Sequence, residues 1–470
     1  MNRRSFIKNA GLLSTALVVS LDSYSSLIFG AGIKVAGRVT YKRKGIKGVV
    51  VSDGFSVVQT NSKGRYELPY NGAARFVFLS VPAGYAFPEQ SGIAKHYQPL
   101  GKPGSLDFEL VKLSRDDSKH SFIIWADPQV RDQADVELML SQSVPDVQQL
   151  VKSMGAGALV HGIGVGDLVW DNHALFKSYN KAVAEMGIPF FQALGNHDMD
   201  YNKGGDEVSD NTFESIYGPT YYSFNRGKAH YVVLDDVRYL GKDRTYDGYI
   251  SQQQLDWLKK DLDFVPENNL IVVSLHIPVH NHVKNNDALY SILKPFKNVH
   301  IMSGHTHYNT NEIKEGIYEH NHGTVCGAWW TGPICSDGAP NGYGVYEVDG
   351  TELKWYYKST GLEKDHQLSI DIQELTNQKR MIVNVWNWDP EWKVEWWADE
   401  KFMGELERQM GYDPLAVKLY KGENMPKRRS FAEPTRTDHL FVSHFGVAVR
   451  SVKIKVTDRF GNKFEKAASV

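Results

Sequence analysis

FFQALGNHD, residues 190–198, runs from an apolar, strand-like stretch through a glycine into an asparagine, a histidine and an aspartate. Such a strand delivers three side chains that can bind metals or protons into the loop that follows it. The same layout recurs at FIIWAD (122–127), ALVHGIGVGD (158–167), HYVVLDD (230–236), LIVVSLHIP (270–278) and VHIMSGHTH (299–307). Between these runs, DVQQLVKSM (146–154), FKSYNKAVAEMG (176–187) and SQQQLDWLKKDL (251–262) carry apolar residues at helical spacing. Strands and helices in alternation predict an α/β domain. In such domains ligands gather at the carboxyl ends of strands.

Asp127, Asp167, Asn196, His197, His276, His305 and His307 all stand at these strand-to-loop switches. Singly, each has an ordinary reading: aspartate turns a chain, and a lone histidine at a strand end is commonly a hydrogen-bonded neutral residue. Their recurrence in one region predicts a metal centre. Carboxylates, a carboxamide and imidazoles suit first-row divalent ions such as Mn, Fe or Zn, and the set lacks the thiolates of a structural zinc site. One carboxylate can bridge two ions, and a pair about 3.5–4 Å apart can hold attacking water and a phosphoryl oxygen together. Phosphoester hydrolysis is the chemistry that needs this arrangement.

The blocks DPQ (127–129), GDLVWD (166–171), GNHD (195–198), LHIP (275–278) and GHTH (304–307), in that order, resemble the signature of the calcineurin-like metallophosphoesterase superfamily. YGPTYYSFNRGKAHYVVLDD (217–236) and ISQQQLDWLKKDL (250–262) fit the same family. The resemblance implies a four-layer α/β/β/α sandwich. It also implies a hydrolase of small-molecule or head-group phosphoesters, a phosphatase or phosphodiesterase with two metal ions (Mn, Fe, Zn or Mg) and a bridging hydroxide. One ion would be held by Asp127, Asp167 and His307, with Gln129 in the place of a family histidine. Asp167, Asn196, His276 and His305 would hold the second. His197 would be the general acid or a stabiliser of the transition state, and Asp198 would orient it or else cap its loop. Gln129 is the departure. Its neutral carboxamide oxygen binds borderline ions less well than imidazole nitrogen does, so the first site is expected to be weaker and biased toward harder ions. The same departure leaves open a catalytically weak binding or scaffolding protein on this fold.

Asp171, His280 and His282 are expected either to line the substrate pocket or to lie in exposed loops. The stretch CGAWWTGPICSDGAPNGY (326–343) follows the last ligand motif and is rich in Gly, Pro and Trp, as a pocket-shaping loop would be. Trp329 and Trp330 in it either wall the site or belong to the core. His320 and His322, two apart after the last metal motif, also invite a metal-ligand reading.

Farther out, a chain of 470 residues implies about three domains at roughly 150 residues each. The expectation is a multidomain α+β protein with the catalytic region at 119–357. Short strand-like runs with turn signals over 33–113 predict a small β-sandwich resembling immunoglobulin-like or transthyretin-like modules. Residues 365–470 read as a second β-rich module carrying one helical stretch, EKFMGELERQMG (400–411). Flanking β modules of this kind resemble those of one subgroup of the superfamily. Trp386, Trp388, Trp392, Trp396 and Trp397 in the last module could form a sugar-stacking face, as in a carbohydrate-binding surface protein, or a sandwich core.

Arg3 and Arg4 precede an apolar stretch, and NRRSFIK resembles a twin-arginine signal, so residues 1–32 are expected to direct export, to a periplasm. That stretch is too interrupted for a stable membrane span, which needs about 20 apolar residues. With 53 basic and 55 acidic residues, the net charge of -2 gives no footprint for nucleic acid or an anionic membrane. Cys326 and Cys335 would be permitted a disulfide after export, or be two buried thiols.

Overall fold

The computed structural model describes residues 33–101, 106–422, 425–426 and 428–470; the export signal read at 1–32 lies outside them. Two sheets face each other at the centre. One has seven strands in the order Glu352–Ser359, Gly342–Asp349, Lys119–Trp125, Val160–Val165, Phe190–Ala193, Ile93–Ala94 and Glu89–Gln90. The other has six, in the order Tyr222–Arg226, Ala229–Val233, Leu270–Ser274, Asn298–Ser303, Ile317–Asn321 and Thr310–Lys314. Both faces of the central strands are covered, which is why their sequences are continuously apolar. Phe122 to Trp125 are fully buried.

Helices cover the outer faces. Tyr179, on the helix Phe176–Met186, donates its hydroxyl to Gln192 at 2.9 Å on the seven-stranded sheet. On the other side Asp261, in the helix Gln252–Leu262, bonds His230 at 2.9 Å. That helix starts where Ser251 accepts the Gln254 amide. Inside, the sheets meet through rings: Phe191 stacks on Phe224 at 3.6 Å, and Phe122 meets Tyr231 edge-on at 5.3 Å. The result is the α/β/β/α sandwich. Its strands Lys119–Trp125, Val160–Val165 and Phe190–Ala193 are parallel neighbours, as are Ala229–Val233, Leu270–Ser274 and Asn298–Ser303. Parallel pairing brings the loops at their carboxyl ends to one edge.

The flanking segments are built into this core. At the amino-terminal side, two four-stranded sheets pack together, and the hairpin Glu89–Ala94 leaves them to extend the central seven-stranded sheet beside Phe190. Arg75 reaches across to Asp210 at 2.6 Å and Glu214 at 2.9 Å. At the carboxyl-terminal side, two more four-stranded sheets enclose Trp392, Trp396, Phe441 and Ile454. Trp386 is buried as well, so these three tryptophans serve packing; Trp388 and Trp397 are half-buried, with Arg408 over the first at 4.2 Å and Lys453 over the second at 4.6 Å.

The helix expected at 400–411 is absent. Lys401–Glu405 pairs with Lys393–Ala398, and Glu407–Tyr412 pairs with Arg436–Gly446. The helical preference of Glu, Lys and Met is worth only tenths of a kcal/mol per residue, and edge pairing overrides it. A helix follows directly, Pro414–Tyr420, with Asp413 accepting the Ala416 amide and proline in the first turn. Cys326 and Cys335 are free, buried thiols.

Arg428 and Arg429 clamp the carboxyl-terminal segment to the catalytic core. Arg429 places Nη2 2.5 Å from Asp135 Oδ2 and Nη1 2.9 Å from Oδ1, while Arg428 bonds Asp135 at 2.6 Å and Asp132 at 2.5 Å. Asp135 is fully buried and the Arg429 side chain is 4% exposed, against 35% for Arg428. Removing the buried fork leaves a buried carboxylate with only the Arg131 amide at 2.9 Å and the half-exposed Arg428 as partners. Arg429→Ala should therefore cost about 3 kcal/mol, and Arg428→Ala about 1 kcal/mol or less. Urea midpoints check this, and equal losses would contradict the asymmetry.

Candidate metal centre

Asp127, Asp167, Asn196, His276, His305 and His307 come together where the two sheets' parallel strands end. Two groups of donor atoms form, each lying within 4.8 Å of one another: Asp167, His276 and His305, and Asp127, Asp167 and His307. Asp167 belongs to both. Its Oδ1 accepts the His197 amide at 2.9 Å and lies 3.3 Å from His276 Nε2; its Oδ2 accepts Gln129 Nε2 at 2.6 Å. His276 donates Nδ1–H to the Val165 carbonyl at 2.8 Å, which leaves Nε2 facing Asn196 Oδ1 at 3.0 Å and His305 Nδ1 at 3.1 Å. A backbone acceptor on one ring nitrogen is how a histidine is fixed to offer the other to a metal.

The loops pay for this convergence in backbone conformation. Asp127, Gln129, Asp167, Asp171, His305, His307, Trp329 and Trp330 all have positive φ between 39° and 68°, a region that costs ordinary residues of order 1 kcal/mol or more. Glycines in the motifs permit the close approach. A Cβ on Gly195 would lie 2.0 Å from the Asp167 amide nitrogen, and one on Gly304 would lie 2.4 Å from Asp127 Oδ2. GNHD and GHTH need their leading glycine for that reason.

Burial and neighbouring charge set the protonation pattern. Burial raises the Asp127 carboxyl far above the usual range. Asp167 is equally buried, yet cationic His276 and His197 outweigh burial and hold it low. Burial disfavours charge on His276, but Asp167 overrides it and lifts the imidazole to about 10. Burial pushes His305 and His307 down to about 3. Neutral imidazoles of that kind keep a lone pair for coordination.

Gln129 lies in the cluster. Its amide nitrogen is spent on Asp167, and its Oε1 is buried with no protein partner. An unmatched buried acceptor costs about 1–3 kcal/mol, and a cation would satisfy it. The donor set, the orphaned oxygen and the shared carboxylate fit two divalent ions.

His197 sits beside the cluster with Nδ1 2.9 Å from Asp171 Oδ1. Burial lowers its proton affinity, but Asp167 and the bonded Asp171 raise it overall. Of the two roles expected for Asp198, its contacts fit the loop cap and not the orientation of the ring. Its carboxylate accepts the amides of Leu168 (3.2 Å), Val169 (3.1 Å) and Gly195 (3.0 Å), stapling the GD loop to the GNHD loop. Asp171 is the orienting carboxylate, and its other oxygen binds Arg244 at 2.6 Å.

The remaining candidates divide. Trp329 packs tilted on His307 at 4.8 Å, whereas Trp330 is buried and donates Nε1–H to the Pro128 carbonyl at 2.7 Å, propping the DPQ loop from behind. His282 is close enough for its charge to bear on His305. His280 and His282 both line a small cleft with Glu312 and Arg436, Glu312 standing 3.9 Å from His280. His320 bonds His300 at 2.9 Å and His322 bonds Tyr346 at 2.8 Å, both buried packing residues. Sequence reasoning missed four contributors. Trp170 meets the His197 ring at 5.3 Å, Tyr246 meets His305 at 5.9 Å, Asp236 accepts the His276 amide at 3.1 Å, and Phe431 packs on Trp329 at 5.4 Å. Trp170 lay inside the GDLVWD block; Phe431 had no motif around it.

Comparison with known proteins agrees along the chain. Family models match residues 33–113 as the N terminal of calcineurin-like phosphoesterase, 145–309 as calcineurin-like phosphoesterase and 319–464 as the C terminal of calcineurin-like phosphoesterase. A probable cyclic nucleotide phosphodiesterase of Rhodococcus erythropolis is 26% identical over 177 residues, which are 33% of this chain and 54% of that protein. The chain thus spans about half the length of this curated relative. Among solved structures, a dimetal phosphatase from Danio rerio shares 14% identity over 51% of this chain and 97% of its own, with a TM-score of 0.38. The purple acid phosphatase PPD1 from yellow lupin, Lupinus luteus, shares 12% over 67% of each chain, with a TM-score of 0.39.

If Asp198 is a staple, Asp198→Asn replaces one of two acceptor oxygens with a donor facing backbone amides. Thermal denaturation should register a loss of about 1–3 kcal/mol. An unchanged melting temperature would remove the stapling role.

Proposed function

We propose that the chain, which belongs to the calcineurin-like phosphoesterases, is an exported two-metal phosphoester hydrolase cleaving small-molecule or head-group phosphoric esters. The observation that carries this reading is the carboxylate of Asp167 shared between two donor groups. Asp127, Gln129, Asp167 and His307 would hold one ion, and Asp167, Asn196, His276 and His305 the other. The ions, Mn, Fe, Zn or Mg, when bound would supply positive charge to the phosphoryl oxygens and an acidified water as nucleophile.

The chain's own residues do the rest. Asp171 accepts Nδ1–H of His197 and, with Asp167, favours the doubly protonated ring, in which the second nitrogen, Nε2, carries the proton that goes to the departing alkoxide. The His197 amide is tied to Asp167 Oδ1, which fixes the acid relative to the ligand cluster. Arg244 neutralises the outer oxygen of Asp171 and holds its plane. Trp170 and Trp329 flank His197 and His307. The net change is a P–O ester bond exchanged for a P–OH and a free alcohol. Export to a periplasm is supported by Arg3, Arg4 and the apolar stretch behind them.

Exhaustive chelation should abolish hydrolysis of p-nitrophenyl phosphate and bis-p-nitrophenyl phosphate, with Mn restoring it; activity that survives chelation would overturn the proposal. Asp171→Asn should lower kcat about 10- to 100-fold, the usual effect of losing a carboxylate behind a functional histidine, with metal content unchanged. Steady-state kinetics beside elemental analysis check both halves.

A further inference from the structure

A chain of ring contacts leads outward from the metal centre. Trp170 touches the His197 ring at 5.3 Å, and Trp329 touches His307 at 4.8 Å. Phe431, from the carboxyl-terminal segment, meets both indoles, Trp170 at 5.5 Å and Trp329 at 5.4 Å. Although it packs against two rings, Phe431 is 47% exposed. Leaving a phenyl ring half in water forfeits part of its burial energy, and this one is held there deliberately. Arg429 forks onto Asp135, Arg428 onto Asp132 and Asp135, and the Thr331 hydroxyl donates to the Arg428 carbonyl. Three residues on, the chain has little freedom to withdraw the ring. The guanidinium of Arg131 stands over Trp170 at 5.1 Å, and Arg131, Trp170, Asp171, Asn172 and Arg244 line an open pocket of ≈ 320 Å³ beside it.

Taking His197 as the acid that serves the departing group, the rings lie on the leaving-group side of the centre, because Trp170 touches His197 itself. We propose that Phe431 and Trp329 form a subsite for a flat aromatic group carried by the alcohol portion of the phosphoester, such as an aryl or nucleobase ring. This rests on the phosphoesterase reading. A planar ring gains from aromatic partners through offset or edge-on contact, beyond what apolar area alone provides. Because the subsite is pre-ordered by the arginine clamp, little of that gain is spent on immobilising it. The proposal also gives the carboxyl-terminal module a part in substrate choice.

Phosphonates test this without turnover. On the Mn-loaded full-length protein, calorimetry should find phenylphosphonate binding about three- to tenfold tighter than methylphosphonate or cyclohexylphosphonate, the range expected of one aromatic contact. Phe431→Ala should bring the phenyl-to-cyclohexyl ratio close to one, and Phe431→Tyr should keep it. Equal affinity for phenyl- and cyclohexylphosphonate in the wild type would overturn the subsite, as would an equal loss of all three ligands in Phe431→Ala. Methylphosphonate binding without ring preference removes the subsite alone. Failure of methylphosphonate to bind the Mn-loaded centre removes the phosphoesterase reading, and the subsite with it.

Discussion

One buried carboxylate, Asp167, organises the molecule. It receives the His197 amide and the Gln129 side chain, faces His276, and belongs to both donor groups. A charge in that position is expensive unless it is surrounded by partners. Every partner comes from a different strand end, so the fold has to bring Trp125, Ala193, Ser274 and Ser303 to the edge where Val165 leads into Asp167. Parallel pairing in two facing sheets does so. The left-handed backbone at Asp127, Asp167, His305 and His307, and the glycines before Asp167 and His305, follow from packing so many polar groups into one small volume.

The flanking β modules take part in the same geometry. The amino-terminal hairpin Glu89–Ala94 lengthens the sheet that carries Asp127, Asp167 and Asn196. On the other side, Asp135 sits in the helix just after the DPQ loop and anchors Arg428 and Arg429, while the Trp329 carbonyl accepts from Arg429. The wall of the site is thus assembled from both the catalytic region and the carboxyl-terminal segment. Separate beads on a string would not have this property.

The central sandwich and the ligand cluster could be read from the sequence because strand and helix periods are local and because each ligand sits at the end of an apolar run. What escaped reading depended on contacts between distant segments. GNHD places Asp198 next to His197 in the chain, but a three-residue turn points its carboxylate at the amides of the neighbouring loop, and the ring finds Asp171, 26 residues earlier. Adjacent Trp329 and Trp330 face opposite ways, one to the site and one to the core. The stretch 400–411 has helical composition and became two strands, because free sheet edges were available to pair with it. Phe431 and Arg429 lie outside every motif, and only the folded chain brings them to Trp170. Gln129 was the departure the family pattern exposed, and its orphaned oxygen within the cluster is consistent with a ligand.

Metal stoichiometry bears most directly on the shared carboxylate. Elemental analysis after equilibration with Mn and removal of free ion should find two ions per chain in the wild type, one in Asp127→Asn and fewer than one in Asp167→Asn. Equal metal content in the two variants would contradict the central position given to Asp167.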